Sequence, residues 1–134
     1  MIAPVIPLTR NADALYRLAC SIDDNEPDRA EIMYTACLIS HPAHAHAMVN
    51  LGNIHFRRGH YDRAQYLYMK ARQVNPMCPE AHYNLGYMAL QDGELSDAVS
   101  LFETAVKLDP RFQDARTNLA LARERLNNKL AEAL

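Results

Sequence analysis

Three asparagines stand at one spacing: Asn50, Asn84 and Asn118 are 34 residues apart in turn. A primary amide donates to a carbonyl and accepts from an N–H. A row of them can grip an extended peptide backbone without reading its side chains, or simply satisfy local hydrogen bonds. Tyr83 and Tyr87 lie one helical turn apart, on one face of any helix that carries them. Such aromatics give a binding surface large apolar area with a polar handle, or pack between helices. A second set could hold metal. His41, His44 and His46 cluster, and Cys78 and His82 are four apart. Imidazole and thiolate are zinc ligands, but nothing completes a four-ligand set at recognised spacing. No metal site is expected, and partly buried structural histidine is the plain reading of His55 and His82. The chain has no GxSxG, no phosphate-cradling glycine loop, no HExxH and no Cys–His nucleophile pair. Neither a catalytic residue nor a cofactor is expected.

Composition narrows the class. The 134 residues fit one domain and are enough to bury a core. Fourteen Lys and Arg face sixteen Asp and Glu, a formal net charge of -2. A partner held by phosphate neutralisation needs a basic footprint, so nucleic acid is not expected. Hydrophobic content of 49% with 22% charged residues matches a folded domain. Four glycines are too few for an all-β chain full of tight turns. Cys20, Cys37 and Cys78 are an odd number without a CxxC, which suggests reduced thiols and a cytoplasmic location. The apolar head, residues 1–10, lacks a basic start and is broken by Pro4 and Pro7, unlike a signal peptide. No apolar run approaches the ~20 residues of a membrane span.

The spacing of the asparagines extends to much of the chain. Val49-Asn50-Leu51-Gly52-Asn53 aligns with Tyr83-Asn84-Leu85-Gly86-Tyr87 at an offset of 34. That offset also carries Gly59 to Gly93, Ala64 to Ala98, Leu67 to Leu101, Ala71 to Ala105 and Pro76 to Pro110. It turns Tyr68 into Phe102 and reaches Thr117-Asn118-Leu119-Ala120. Backwards it reaches Ala30, Tyr34 and Pro42. A Leu-Gly pair, a glycine, an alanine, an aromatic, an alanine and a closing proline over 34 residues resemble the tetratricopeptide repeat. The resemblance covers all but the head: 11–44 as a divergent first repeat, 45–78 and 79–112 as nearly full repeats, and 113–134 as a capping helix.

Elementary physics agrees. Apolar residues recur at helical spacing around Leu51, Ile54, Ala64, Leu67 and Tyr68. Gly59 and Gly93 stand where two helices must turn sharply. Asn75-Pro76 and Asp109-Pro110 end helices, Pro79 suits a first turn, and Asp62 with Gln65 suggests a capping box. Gly52, Gly86, Ala71 and Ala105 allow helices to approach closely. The first repeat uses Leu18-Ala19 for Leu-Gly and replaces its glycine turn by residues 21–27. Seven helices are predicted, over 12–22, 28–40, 45–58, 62–74, 79–91, 96–108 and 112–128. The fold class is all-α, a right-handed superhelical stack of antiparallel helix pairs with three repeats and a C-terminal capping helix.

The resemblance implies that first helices line a concave, peptide-binding face. Its matched positions are His46, Val49, Asn50, Asn53, Phe56 and Arg57 in one repeat. The next supplies Glu80, Tyr83, Asn84, Tyr87, Leu90 and Gln91, and the last helix Asp114, Thr117, Asn118, Leu121 and Arg125. Arg57, Gln91 and Arg125 are expected to tune specificity at the rim. Family members that clamp acidic chaperone C-termini use Lys, Asn, Asn, Lys and Arg. Here the asparagines are kept but the basic positions are lost, and Glu80 and Asp114 would repel a carboxylate. The expected function is therefore a non-enzymatic scaffold that binds a peptide or helix of a protein partner, not a carboxylate-clamp partner. The alternative is self-assembly into a homo-oligomer through repeat edges or through Ile2, Val5, Ile6 and Leu8 of the head.

Overall fold

The computed structural model describes residues 11–134, and the apolar head, with its proposed role in self-association, lies outside them. Seven helices follow in order: α1 (Ala12–Ile22), α2 (Pro27–Ser40), α3 (Ala45–Arg57), α4 (Tyr61–Val74), α5 (Pro79–Gln91), α6 (Leu95–Leu108) and α7 (Gln113–Glu132). Among the described residues there is no strand. The helices form an all-α, tetratricopeptide-like array of antiparallel pairs, the fold class expected. They divide into two compact units that meet in sequence at Asn75 and Pro76. The first holds α1 to α4, the second α5 to α7.

Local chemistry sets the ends. Asn11 caps α1, its Oδ1 accepting from the Asp13 N–H at 3.0 Å and the Ala14 N–H at 3.3 Å. His44 caps α3 through Nδ1, which accepts from Ala47 N–H at 3.1 Å. Pro27 and Pro79 sit in first turns. Gly59 and Gly93 take φ of +80° and +77°, which a side chain disfavours. That geometry closes the α3 and α5 ends as Schellman motifs. His60 N–H donates to the His55 carbonyl and Gly59 N–H to that of Phe56, while Glu94 and Gly93 do the same to Ala89 and Leu90.

Six helix boundaries differ from expectation, five by one residue and the end of α7 by four, and the physical reason is plainest at α4 and at the end of α7. The turn at Gly59 delivers the chain into α4 early, so His60 is the N-cap, without a side-chain cap bond. Asp62 lies inside the first turn instead of capping it with Gln65; there its charge suits the helix dipole. Helix α7 runs to Glu132 rather than 128, because no glycine or proline after Pro110 stops it.

Each unit buries its own apolar stripe. In the first, Leu15, Ala19, Met33, Tyr34, Cys37, Leu51 and Ile54 form the centre. In the second, Leu90, Ala98, Phe102, Leu119 and Ala122 do so, with Tyr83, Tyr87 and Leu121 packed against them. The repeated glycines are steric necessities. A Cβ on Gly52 would stand 2.7 Å from Tyr68 Cε1, and one on Gly86 2.9 Å from the Phe102 ring. The edge differs: Leu18 is 42% exposed where Leu51, Leu85 and Leu119 are 7% or less.

Candidate functional site

In the first unit α1 and α3 present a polar face. Asn50 Nδ2 donates to the Tyr16 hydroxyl at 3.4 Å and to Cys20 Sγ at 3.5 Å. Tyr34, wholly buried as a ring, donates its O–H to Asp23 Oδ2 at 2.9 Å and lies 3.5 Å from Cys20 Sγ. Arg57 closes the group from α3, its Nη2 donating to Asp23 Oδ1 at 2.5 Å. Burial first, then Cys20 and Asp23, push the Tyr34 phenol far up from its ordinary value. Further along, the Tyr68 hydroxyl donates to Asn53 Oδ1 at 2.6 Å, and burial raises that phenol too. Phe56 packs edge-on against Tyr61 at 5.1 Å. Tyr16 stacks on His44 at 4.8 Å, whose Nε2 lies 3.6 Å from Asp13. Arg58 pairs with Asp28 and Glu31, tying α3 to α2.

In the second unit α5 and α7 present an aromatic face. Asn118 Nδ2 donates to the Tyr83 hydroxyl at 2.9 Å. The Tyr83 ring packs on Phe112 at 4.7 Å and Phe102 at 5.7 Å. Burial raises its phenol from the ordinary value, helped by Asp114, while the hydrogen bond from Asn118 opposes the rise. Tyr87 and Asn84 are half-buried beside it, and Gln91 and Arg125 are exposed. The cysteine and histidine four residues apart are both engaged locally. Cys78 donates to Glu80 Oε2 at 3.4 Å and burial pushes its thiol up to about 11. His82, 9% exposed, sets Nε2 2.7 Å from the Pro76 carbonyl oxygen.

These placements correct parts of the expected binding set. Val49 is 2% exposed and Leu90 5%, so both are buried where groove positions were expected. Val49 sits on the buried side of α3, between Met48 and Leu51, because three successive positions of that helix turn inward. Arg57, expected at the rim, is half exposed and paired with Asp23. Leu121 packs into the second core and Tyr83 is a packing residue as well as a polar tip. Asp23 organises the first face, yet only its 34-residue spacing from Arg57 hints at this in the sequence. Tyr16 stands at the same spacing before Asn50.

The tetratricopeptide repeat profile matches residues 21–70, 55–111 and 90–134. The chain belongs to the tetratricopeptide repeat family. Solved structures share its fold. The crystal structure of MamA is 24% identical with a TM-score of 0.70, over 86% of this chain and 68% of that one. The first tetratricopeptide domain of Spaghetti (RPAP3), bound to the HSP90 peptide SRMEEVD, is 19% identical with a TM-score of 0.76, over 88% and 94%. The Arabidopsis OM64 tetratricopeptide domain is 16% identical with a TM-score of 0.73, over 84% and 94%. A comparison with curated proteins finds no significant match. Tetratricopeptide repeat proteins are generally protein–protein interaction scaffolds and typically not enzymes. Among the described residues no helix is long and apolar enough to cross a membrane.

Proposed function

We propose that this tetratricopeptide protein is a non-enzymatic scaffold whose first helices bind a segment of a protein partner. The observation that supports this is the phenol–amide contact repeated in each unit, Tyr16 with Asn50 and Tyr83 with Asn118. Within each unit it brings two first helices together with half-buried polar tips. In the second unit Asn84 and Tyr87 are half-buried on α5, the helix that carries Tyr83. The partner segment is neutral or mixed in charge. Glu80 and Asp114 stand where a carboxylate clamp carries bases, so the acidic peptide of the RPAP3 structure is not the model ligand for this chain. The three free cysteines suit a reducing compartment such as the cytoplasm.

Peptide-display selection against the folded chain tests this reading. The expected result is an enriched motif that is lost in the Asn50→Ala/Asn84→Ala double variant, with helicity and melting unchanged. A motif retained by that variant moves the site to another face. A second reading, self-association through the repeat edge, is favoured by one observation: Leu18 and Ile32 are 42% and 44% exposed on the first helix pair. Light scattering on Leu18→Glu against wild type decides it, since an unchanged monomer mass in both removes the edge from consideration.

A further inference from the structure

We propose that residues 1–10 seat themselves on the outer face of α2 in the same chain, over Ile32 and Ile39, and so close the first helix pair. Seating of this kind needs no ligand and goes beyond the scaffold reading. Helix α2 is apolar on two sides. One stripe, Ala30, Met33, Tyr34 and Cys37, is buried in the first core. A second, Ile32, Thr35, Ala36 and Ile39, has the same i, i+3, i+4, i+7 spacing and lies about 200° further around the helix. Ile32 is 44% exposed and Ile39 77%. The Thr35 hydroxyl is spent on the Glu31 carbonyl at 2.8 Å, which hides its polarity. Two repeat lengths on, α6 carries Ser100, Glu103, Thr104 and Lys107 at the same positions. The third pair thus turns a polar face away from its core and the first pair an apolar one. An apolar stripe of that kind is a surface that gains by being covered.

The chain itself supplies the cover. Residues 1–10 hold Ile2, Val5, Ile6 and Leu8, with no charged side chain before Arg10. They join the fold at the right end of the stripe. The Cys37 thiol is raised from its ordinary value by burial first and then by the nearby Asp13 carboxylate, so the first turn of α1 lies beside the last turn of α2. Asn11 therefore delivers the head next to Ile39. From Ile39 to Ile32 is about 10 Å along the helix, which roughly three extended residues span, so the head reaches it with length to spare. Pro4 and Pro7 fix φ in the free segment as well, so less freedom is lost on seating. Tethering holds the head at an effective concentration of about millimolar, which a second copy matches only at similar protein concentration. The cover is thus intramolecular and competes with the self-association reading above.

The chain has no tryptophan, so Ile6→Trp in the full-length chain gives one indole that reports on the head alone. A synthetic peptide of residues 1–10 with the same substitution is the reference. The expected emission is blue-shifted from the peptide's and independent of protein concentration. It moves back to the peptide's value in Ile32→Ser/Ile39→Lys, which gives α2 the residues that α6 carries at those positions. Each substitution alone should lower the ratio of seated to free emission about tenfold, the worth of burying one isoleucine side chain. Both positions are exposed, and circular dichroism checks that helicity is kept. Should the double variant unfold, the comparison with the peptide and a dilution series still decide, with Leu8→Trp as a second reporter. Peptide-like emission at both reporter positions overturns the proposal, as does a blue shift that the folded double variant leaves unchanged. A blue shift that fades on dilution overturns it too and assigns the head to a second copy. Each of these outcomes leaves the ligand-binding reading intact.

Discussion

The two units solve one sequence pattern differently. In the first, the large residue under the helix pair is a tyrosine twice over, Tyr34 and Tyr68. Each hydroxyl is spent on α1 or α3, on Asp23 and Cys20 or on Asn53. In the second, the same position is Phe102, wholly buried and with no hydroxyl to satisfy, and the position matching Asn53 is Tyr87. The rim follows suit. Arg57 is paired with Asp23, whereas Gln91, 34 residues on, is exposed on its own helix end. The first unit uses its polar groups to hold itself together. The second holds itself by aromatic packing, with Tyr83 and Asn118 half-buried. A repeat pattern records that a position is large or polar, not what that polarity is bonded to.

The sharpest way to break this contrast is to give the second unit the first unit's residue. Phe102→Tyr should bury a hydroxyl where the position matching Asn53 is Tyr87, and cost about 1–3 kcal/mol, measured by urea denaturation. A neutral result would mean that the second unit can satisfy the hydroxyl as the first does. Next, Asp23→Asn removes the charge that Arg57 and Tyr34 share. It should cost about 1 kcal/mol, discounted because Arg57 is half exposed, and leave binding of a display-selected peptide unchanged. Weakened binding at unchanged stability would show that the first face contacts ligand directly.

The smallest effect concerns pH. His55 sits at the α3 end with a buried Nδ1 that has no hydrogen-bond partner among the described residues, and burial holds its imidazole below the ordinary value. The fold therefore prefers the neutral ring. Its contribution is complete above the unfolded value of about 6.5 and is lost as pH falls toward the lower folded value. His55→Phe should flatten the melting temperature against pH in that window and leave or slightly raise stability at pH 8. An unchanged pH profile would assign the dependence to another histidine.

Much of this was written in the residue types. The period of 34 set the number and length of the helices, because turns, breakers and small residues act through neighbours in the chain. Gly59 and Gly93 had to turn with positive φ, and Gly52 and Gly86 had to lie under a ring. The misjudged points were of another kind. His60 rather than Asp62 starts α4, since the preceding turn decides where the helix begins. The resemblance implies a groove position for Val49, yet it is 2% exposed, because burial depends on everything packed around a helix, not on its own sequence.

The candidate site shows the same division. Asn50, Asn84 and Asn118 fall on equivalent faces by spacing alone, and Tyr83 and Tyr87 share one turn. Which amide is held by a phenol, which arginine is neutralised and which hydroxyl is already spent were decided only in three dimensions. Helical periodicity is a local property, carried by each residue and its neighbours within a few turns. Hydrogen-bond partnership across helices joins residues 11 to 35 positions apart, and it exists only once packing has brought those helices together.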